Sequence, residues 1–501
     1  MKDKLNKIKR TIVGYKPPKF VIRFILLIPI ILIFINCFNL DNDTWFLLNH
    51  GRYVLSHGIP HIEPFTIHSN LSFVMQQWLS SVIFWVSFHY IGKWALCLIP
   101  AVMLLFITIF MHKLCMLISD NKYYLSSIVT FVVESTLSLL FMVTRPQVFT
   151  YLILVIELYL LESYVRKRNN KYLIPLPILS ILLINLHASV WFMLFLFMLP
   201  YLINSFKFDF VFIKSDGYPK KNLFIVLIIM LLCGLVNPYG LDAIKYLFNS
   251  YGVFEINNYI GEMISPSFAF ALGKINIAFI FLFCFIYAKY KKGKLEVRYL
   301  LLVCGTIYLG LSHYKSYAYF LIGGIFPIAY YVKNEFSVYK DNFSKYSKHV
   351  INVFKLVCYV LFIASVFIFS SITLEKSKRT DKYISKGLEK SVNYITKHYD
   401  KEKIKVYADY NDGGYVEYMG IKSYIDPRAE VFLKKNNKQK DIFVEYYNVQ
   451  KYKLSCDVFL NTYDFDLLIL DEQDALNKCM NNKKYNLVYS DKDRKLYEVK
   501  K

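Results

Sequence analysis

Long apolar runs separated by short, mostly basic breaks set the pattern of this chain. The first run covers residues 21–40. That is about the twenty residues a helix needs to cross a hydrocarbon layer of ~30 Å. Further runs lie near 77–91, 94–118, 123–143, 147–165, 171–186, 189–204, 222–238, 274–290, 296–312, 316–333 and 350–371. The pattern predicts a polytopic α-helical membrane protein with about 11–13 membrane helices. No small-x-small cleavage site follows the first run, so it reads as a transmembrane helix rather than a signal peptide.

The polar breaks predict sidedness. Residues 1–20 are basic and belong in the cytoplasm by the positive-inside rule. Basic breaks at 166–171, 220–221, 289–294 and 333–348 belong there too. The breaks holding Asn185–His187, Asn237–Gly240 and Ser312–Lys315 then face outward, and so does the tail after residue 371. If every run crossed fully, an even number of crossings would return the C-terminus to the cytoplasm. The basic cluster Lys376, Lys378, Arg379 and Lys382 also favours that side. An outward tail requires one segment between 77 and 165 to be a half-crossing, or one more break in that region; 77–91 is short for a full crossing.

Two stretches break the apolar pattern. Residues 41–76 form a long polar-aromatic outer loop, in which TWFLLNHGRYVL predicts an amphipathic helix lying in the membrane interface. Gly58-Ile59-Pro60 ends it. From about residue 380 the apolar runs shorten. Residues 381–399 have helical periodicity, whereas 403–409, 465–471, 485–491 and 495–499 read as strands, with a helix over 472–482. The chain thus divides into a basic N-terminus (1–20), a multi-span domain (21–375) and a small C-terminal α/β domain (376–501).

Composition agrees. Hydrophobic residues are 55% and charged residues 19%, below the roughly 25% charged of soluble chains. The 60 Lys+Arg against 37 Asp+Glu give a net charge of +23. Such basicity raises nucleic acid as a partner. However, the bases sit between apolar runs and no zinc-finger or RNP-like motif is present, so no nucleic-acid partner is expected. Seven of the nine cysteines lie in apolar segments. Cys456 and Cys479 could pair, but read more simply as single buried thiols.

Candidate chemistry gathers in the outward breaks. Asp41 and Asp43, beside Trp45, suit a general base that takes the proton of an attacking hydroxyl, or a metal ligand, or else a solvated loop or helix-end cap. Glu63, with His61 and His68, adds titratable groups, but the histidine spacing forms no compact metal motif. Arg145, before Pro146-Gln147, can fork onto a phosphate or snorkel at a helix end. Lys315 is a parallel cation. Asn185 and His187 interrupt an apolar run, where polar residues usually face a bundle interior or cavity. Glu255 and Glu262 suit a sugar hydroxyl, or solvent. Asp426 and Arg428 either bind a ligand or, more simply, brace the tail on the membrane part. No P-loop, GxGxxG or GxSxG motif supports nucleotide or serine-hydrolase chemistry.

Together these pieces resemble the GT-C superfamily of membrane glycosyltransferases, specifically a bacterial branch related to protein O-mannosyltransferases and aminoarabinose transferases. The residues that carry the resemblance are Asp41, Asp43, Thr44, Trp45, Gly51, Ile59, Pro60, Glu63, Pro64, Phe65, Trp78 and Leu79. Arg145-Pro146-Gln147, Asn185-Leu186-His187, Asn237-Pro238-Tyr239-Gly240, Glu262 with Pro266, and Asp426 with Arg428 follow in the family's order. Two positions depart from it. Gln76-Gln77 stands where the family has His-Glu, and Lys315 where it has Arg. The resemblance implies inverting transfer of a sugar from a polyprenyl-phosphate donor to a glycan, lipid or protein acceptor outside the plasma membrane of a bacterium. Asp43 or Asp41 would be the base, Arg145 and Lys315 would hold the phosphate, and the tail would cap the site. Family members divide between divalent-metal users and metal-independent enzymes, and no motif here selects one. A lipid-linked glycan polymerase or ligase, or a non-catalytic envelope-assembly protein, remain the alternatives, and Gln76-Gln77 is the best support for the latter.

Overall fold

A computed structural model describes residues 18–36, 42–250, 254–266, 294–333, 386–480, 483–491 and 493–500, besides isolated positions. Asp41 and nearly all of the runs 274–290 and 350–371 lie outside the described residues. The remaining apolar runs fold as helices: α1 (Lys19–Asn36), α3 (Trp78–Ile91), α4 (Lys93–Ile118), α5 (Tyr123–Leu140), α6 (Gln147–Lys167), α7 (Pro175–Leu186), α8 (Met193–Asn204), α9 (Lys221–Cys233) and α12 (Val297–Ser312). Among the described residues α4, α5 and α6 are long and apolar enough to cross a membrane. α4 packs on α1, α5 and α6, and α12 packs on α8. The run expected at 316–333 is broken into α13 (Tyr317–Gly323) and α14 (Ile328–Val332). Pro327 lies in the break and has no N–H to give to the carbonyl of Gly323.

The bundle has two chemically different ends. At one end Asp120 pairs with both Arg166 and Lys333 (3.6 and 2.8 Å), and Arg168 bonds the carbonyl of Gly217 (3.2 Å). The start of α1 is there too, with the Tyr123 hydroxyl 3.4 Å from the Lys19 carbonyl. The 21 residues of α6 span about 31 Å at 1.5 Å each, the thickness of a hydrocarbon core. They lead from this basic end to the end that holds Arg145 and Asn185–His187. α3 both starts and finishes at that second end. Gln76, before it, accepts from Ala188 N (2.8 Å), and Leu96, after it, accepts from the Thr144 hydroxyl (3.0 Å).

The basic end also holds a buried polar knot. Arg298 binds Glu162 (3.0 Å) and Glu296 (2.8 Å), and the hydroxyls of Tyr201 and Tyr299 donate to Glu162 at 3.0 Å each. This knot ties α12 to α6 and α8, and each carboxylate is compensated, which burial demands.

The four expected tail strands form one sheet in the order β4-β5-β7-β6: β4 (Val406–Tyr407), β5 (Leu467–Leu470), β6 (Tyr485–Ser490) and β7 (Lys495–Val499). (β1 to β3 are Phe208–Asp209, Ile213–Ser215 and Leu295–Glu296, a small sheet near the basic end.) β5 is buried throughout, hence its unbroken Leu-Leu-Ile-Leu. The helix expected over 472–482 is a 3-10 turn, Ala475–Cys479. Cys456 and Cys479 are not single thiols. Helix α19 (Cys456–Tyr463) packs on that turn, which brings their Cα atoms within 6.2 Å, and the two form a disulfide.

Helix α2 (Asn42–His57) forms as expected and stops at Gly58, whose φ is +83°. It does not lie in an open interface, for Thr44 to Gly51 are all buried. α3 covers one face, so closely that a Cβ on Gly51 would fall 2.1 Å from the Ser81 carbonyl oxygen. The tail helix α16 (Gly413–Tyr418) covers the other, with Trp45 against Tyr415 and Tyr418 at ring centroid distances of 5.1 and 5.0 Å.

His68 also joins loop and tail, 2.9 Å from the Tyr424 carbonyl. Burial first and the Lys440 charge second lower its pKa to about 4, although the Tyr424 carbonyl opposes them. The unfolded state binds the proton first on acidification, so stability present above pH 6.5 is lost as pH falls toward 4. The loss reaches at most about 3 kcal/mol for this group. Thermal midpoints between pH 7.5 and 4.5 should therefore fall less for His68→Gln than for the parent. Superimposable profiles would count against the assignment.

Candidate functional site

Four of the sequence candidates, from four distant segments, meet at the second end of the bundle. Asp43 sits in the first turn of α2, where the helix dipole favours a carboxylate. Arg145 lies just before α6 and points Nε at Asp43 Oδ2, 3.2 Å away. Its Nη1 donates to both carboxylate oxygens of Glu262, at 2.8 and 3.0 Å. Glu262 is on a 3-10 turn (Gly261–Met263), and Lys315 is on another (Tyr314–Ser316). The turns touch through Tyr314 N, which donates to the Ile264 carbonyl at 3.0 Å. Lys315 Nζ stands 4.0 Å from Glu262, beyond hydrogen-bond reach, so that carboxylate does not hold it.

Side-chain exposure rises along this chain of charges, from 13% at Arg145 and 25% at Asp43 to 38% at Lys315 and 43% at Glu262. The cluster is therefore partly open to solvent, with the guanidinium as its most buried member. Burial raises the pKa of Glu262, but the Arg145 and Lys315 charges and the Arg145 hydrogen bond outweigh it and leave the carboxyl below its usual range. The arrangement can present a base beside two cations, as displacement of an anionic leaving group requires.

His187 lies in the turn between α7 and α8, with Nδ1 2.8 Å from the Thr150 hydroxyl. Burial, then Lys315, lowers its pKa to about 3, so it is neutral and feels the cluster's charge. Asn185 accepts from Trp78 Nε1 (2.9 Å) and donates to the Val236 carbonyl (2.8 Å), which fixes the start of α3. An apolar groove of about 530 Å³ runs beside it, lined by Trp78, Leu79, Ile181, Leu182 and Leu235, outside the charged cluster. Asn237 shapes its own turn, and Tyr239 donates to the Pro60 carbonyl (2.9 Å).

Glu63 is not in the cluster. It is 3% exposed, and its oxygens accept from Phe65 N, Thr66 N, the Thr66 hydroxyl and Arg428 Nη2. Arg428 in turn holds Asp426 (Nε to Oδ1 2.8 Å), reaches Glu417 (3.5 Å) and donates to His50 (3.1 Å). His50 is seven residues along α2 from Asp43, about 10 Å. Asp426 and Arg428 thus brace the tail on the outer loop. Burial and the Arg428 charge keep His50 neutral, well below its ordinary pKa.

Gln76 and Glu430 were not picked out as site residues by the sequence, yet Gln76 Nε2 donates to Glu430 Oε1 and joins the start of α3 to the tail. Among the described residues no group of three His, Cys, Asp or Glu could hold a metal ion. The acidic pair in the cluster, Asp43 and Glu262, is already bridged by Arg145, so the described donors do not fit a divalent ion.

The fold is similar to that of the Archaeoglobus fulgidus oligosaccharyltransferase tethered with an acceptor peptide containing the NVT sequon. The identity is 12% over 97% of this chain and 74% of that chain, with a TM-score of 0.54. The apo form of the same enzyme gives 12% over 90% and 69%, with a TM-score of 0.57. ArnT from Cupriavidus metallidurans bound to undecaprenyl phosphate gives 10% over 96% and 98%, with a TM-score of 0.52. These likenesses show that the chain shares the fold of these two proteins. No family model and no curated protein matches the sequence.

Proposed function

We propose that the protein is a membrane glycosyltransferase that moves a sugar from a polyprenyl-phosphate donor to a hydroxyl on an extracytoplasmic acceptor. The observation that carries this reading is the Asp43–Arg145–Glu262–Lys315 cluster, two acids and two cations together and partly open to solvent. It lies at the opposite end from the basic breaks, which the positive-inside rule puts in the cytoplasm. The Cys456–Cys479 disulfide on the cluster side supports the same sidedness, for disulfides persist in oxidising compartments. The plasma membrane of a bacterium fits both.

Asp43 takes the proton of the acceptor hydroxyl as its oxygen attacks the anomeric carbon. The bond from that carbon to the phosphate oxygen breaks with inversion, and the polyprenyl phosphate leaves with the electron pair. It needs no general acid, because it departs as a stable anion. Arg145 and Lys315 neutralise it, while Glu262 holds the guanidinium in place. His187 lines the same region as a neutral polar group. Asp41 stands as the alternative base.

Mass spectrometry of membrane lipids tests the reading. Cells that lack the protein should accumulate one polyprenyl-phosphate sugar relative to intact cells. No lipid difference, with the protein expressed in the intact strain, would favour the non-catalytic alternative. The phosphate cradle has its own test. Purified protein should retain undecaprenyl phosphate, and Lys315→Ala should weaken retention about tenfold, the low end for a lost hydrogen bond to a charged group. Lys315→Arg should restore it, because arginine adds a fork to the same charge. Equal retention by all three would remove Lys315 from the cradle.

A further inference from the structure

Glu430 occupies a 3-10 turn (Ala429–Phe432) that Arg428 fixes against the outer loop. Its carboxyl reaches out of the tail and accepts from Gln76 Nε2, at the start of α3. Gln76 is itself placed by its backbone carbonyl, which takes Ala188 N at 2.8 Å, one residue from His187. Gln76 Oε1 is buried and has no hydrogen-bond partner among the described residues. An acceptor in that condition costs about 1–3 kcal/mol unless something donates to it.

The pair is tied to the His187 turn through the Gln76 carbonyl and Ala188 N. The Lys315 charge acts on Glu430, and Tyr410 lies within electrostatic reach of both Glu430 and Asp43. What the pair offers is two oxygens side by side, one carboxyl and one amide. Two acceptors repel a phosphate, so this corner differs in kind from Arg145 and Lys315. They suit two neutral donors a short distance apart, which is what adjacent hydroxyls of a sugar ring present.

We propose that Glu430 and Gln76 form a sugar-hydroxyl subsite, contributed jointly by the soluble domain and the start of α3. The inference deepens the transferase reading and rests on it. One ring hydroxyl donates to Gln76 Oε1 and its neighbour to the Glu430 carboxyl, with no bond made or broken. Burial pushes the Glu430 carboxyl above its ordinary pKa, against Lys315 and Arg428, which makes it less of a charge and more of a hydrogen-bonding group. The sugar is that of the donor or that of the acceptor; both present the same hydroxyls.

The test uses the full-length protein. Glu430→Gln keeps an oxygen for the Gln76 amide and so keeps the fold. Gln76→Met removes the orphaned acceptor together with the Nε2 donor to Glu430, as a second probe from the α3 side. In cells each variant should lower transfer about tenfold, for one lost neutral hydrogen bond, and accumulate the lipid seen in the deletion strain. Retention of bare undecaprenyl phosphate by the purified variants should equal that of the parent. The source of the sugar is read with an extract of polyprenyl lipids from deletion cells, on Asp43→Asn protein with and without Glu430→Gln. Loss of preference for the glycosylated over the bare lipid assigns the donor sugar, and an unchanged preference assigns the acceptor. A parental lipid profile in both variants overturns the proposal. So does a fall in undecaprenyl-phosphate retention like that of Lys315→Ala. If even the deletion strain accumulates no glycosylated lipid, the transferase reading fails first and this one with it.

Discussion

Asp43→Asn is expected to cut sugar transfer at least about a hundredfold, the lower range for removing a positioned base, while leaving the fold intact. Asparagine keeps an oxygen where Asp43 Oδ2 now stands, 3.2 Å from Arg145 Nε. It also keeps the first turn of α2, so packing under the tail is not disturbed. What it loses is the ability to take a proton. Lipids from cells carrying Asp43→Asn should therefore match those of the deletion strain, although the variant protein is present and thermally normal. Asp41→Asn is the paired control, because the sequence offers two carboxylates two positions apart. A normal lipid profile for Asp43→Asn together with a blocked one for Asp41→Asn would transfer the role to Asp41. Normal profiles for both would leave the cluster without its base.

The reach of the sequence followed from what each signal depends on. Hydrophobic runs report burial directly, so α4, α5, α6 and the four tail strands lie where the pattern places them. Asp43, Arg145, Glu262 and Lys315 could be picked out because each is a polar residue in an apolar or outward context. That they touch is a property of three-dimensional packing, which separate segments do not carry. The same limit hid the Glu430–Gln76 contact. The Asp426/Arg428 motif pointed to a docked tail but not to what Glu430 would meet, and Gln76 stood out only as a departure from the His-Glu of similar proteins. Glu63 shows the opposite error. Its place beside histidines suggested chemistry, but its oxygens are filled by Arg428 and the loop backbone. Arg298 and Glu162 were lost inside apolar runs, where two charges hardly move an average; only their pairing explains them.

Arg428→Ala should be the most damaging single substitution for stability. The side chain is 2% exposed and faces Asp426, Glu63 and Glu417, with His50 accepting from its remaining fork. Phe65 and Phe73 flank the guanidinium at 5.3 Å each and keep water out. Alanine would leave three carboxyl groups in one dry pocket. Breaking a buried pair by removing one partner costs about 3–5 kcal/mol, and here one cation compensates more than one acid. Burial and Asp426 already push the Glu417 carboxyl well above its ordinary pKa, with Arg428 opposing them. Without Arg428 the pocket must take up further protons or open. Opening would free the tail from α2, since Arg428 bonds both sides of that contact. The expected result is a large fall in thermal midpoint and rapid proteolysis between the outer loop and the tail, partly rescued at acidic pH as the carboxyls protonate. Arg428→Lys should fall between parent and alanine, because it restores the charge without the fork that binds Asp426, Glu63 and His50 together. A parental midpoint for Arg428→Ala would mean that the aromatic packing around Trp45 holds the tail in place by itself.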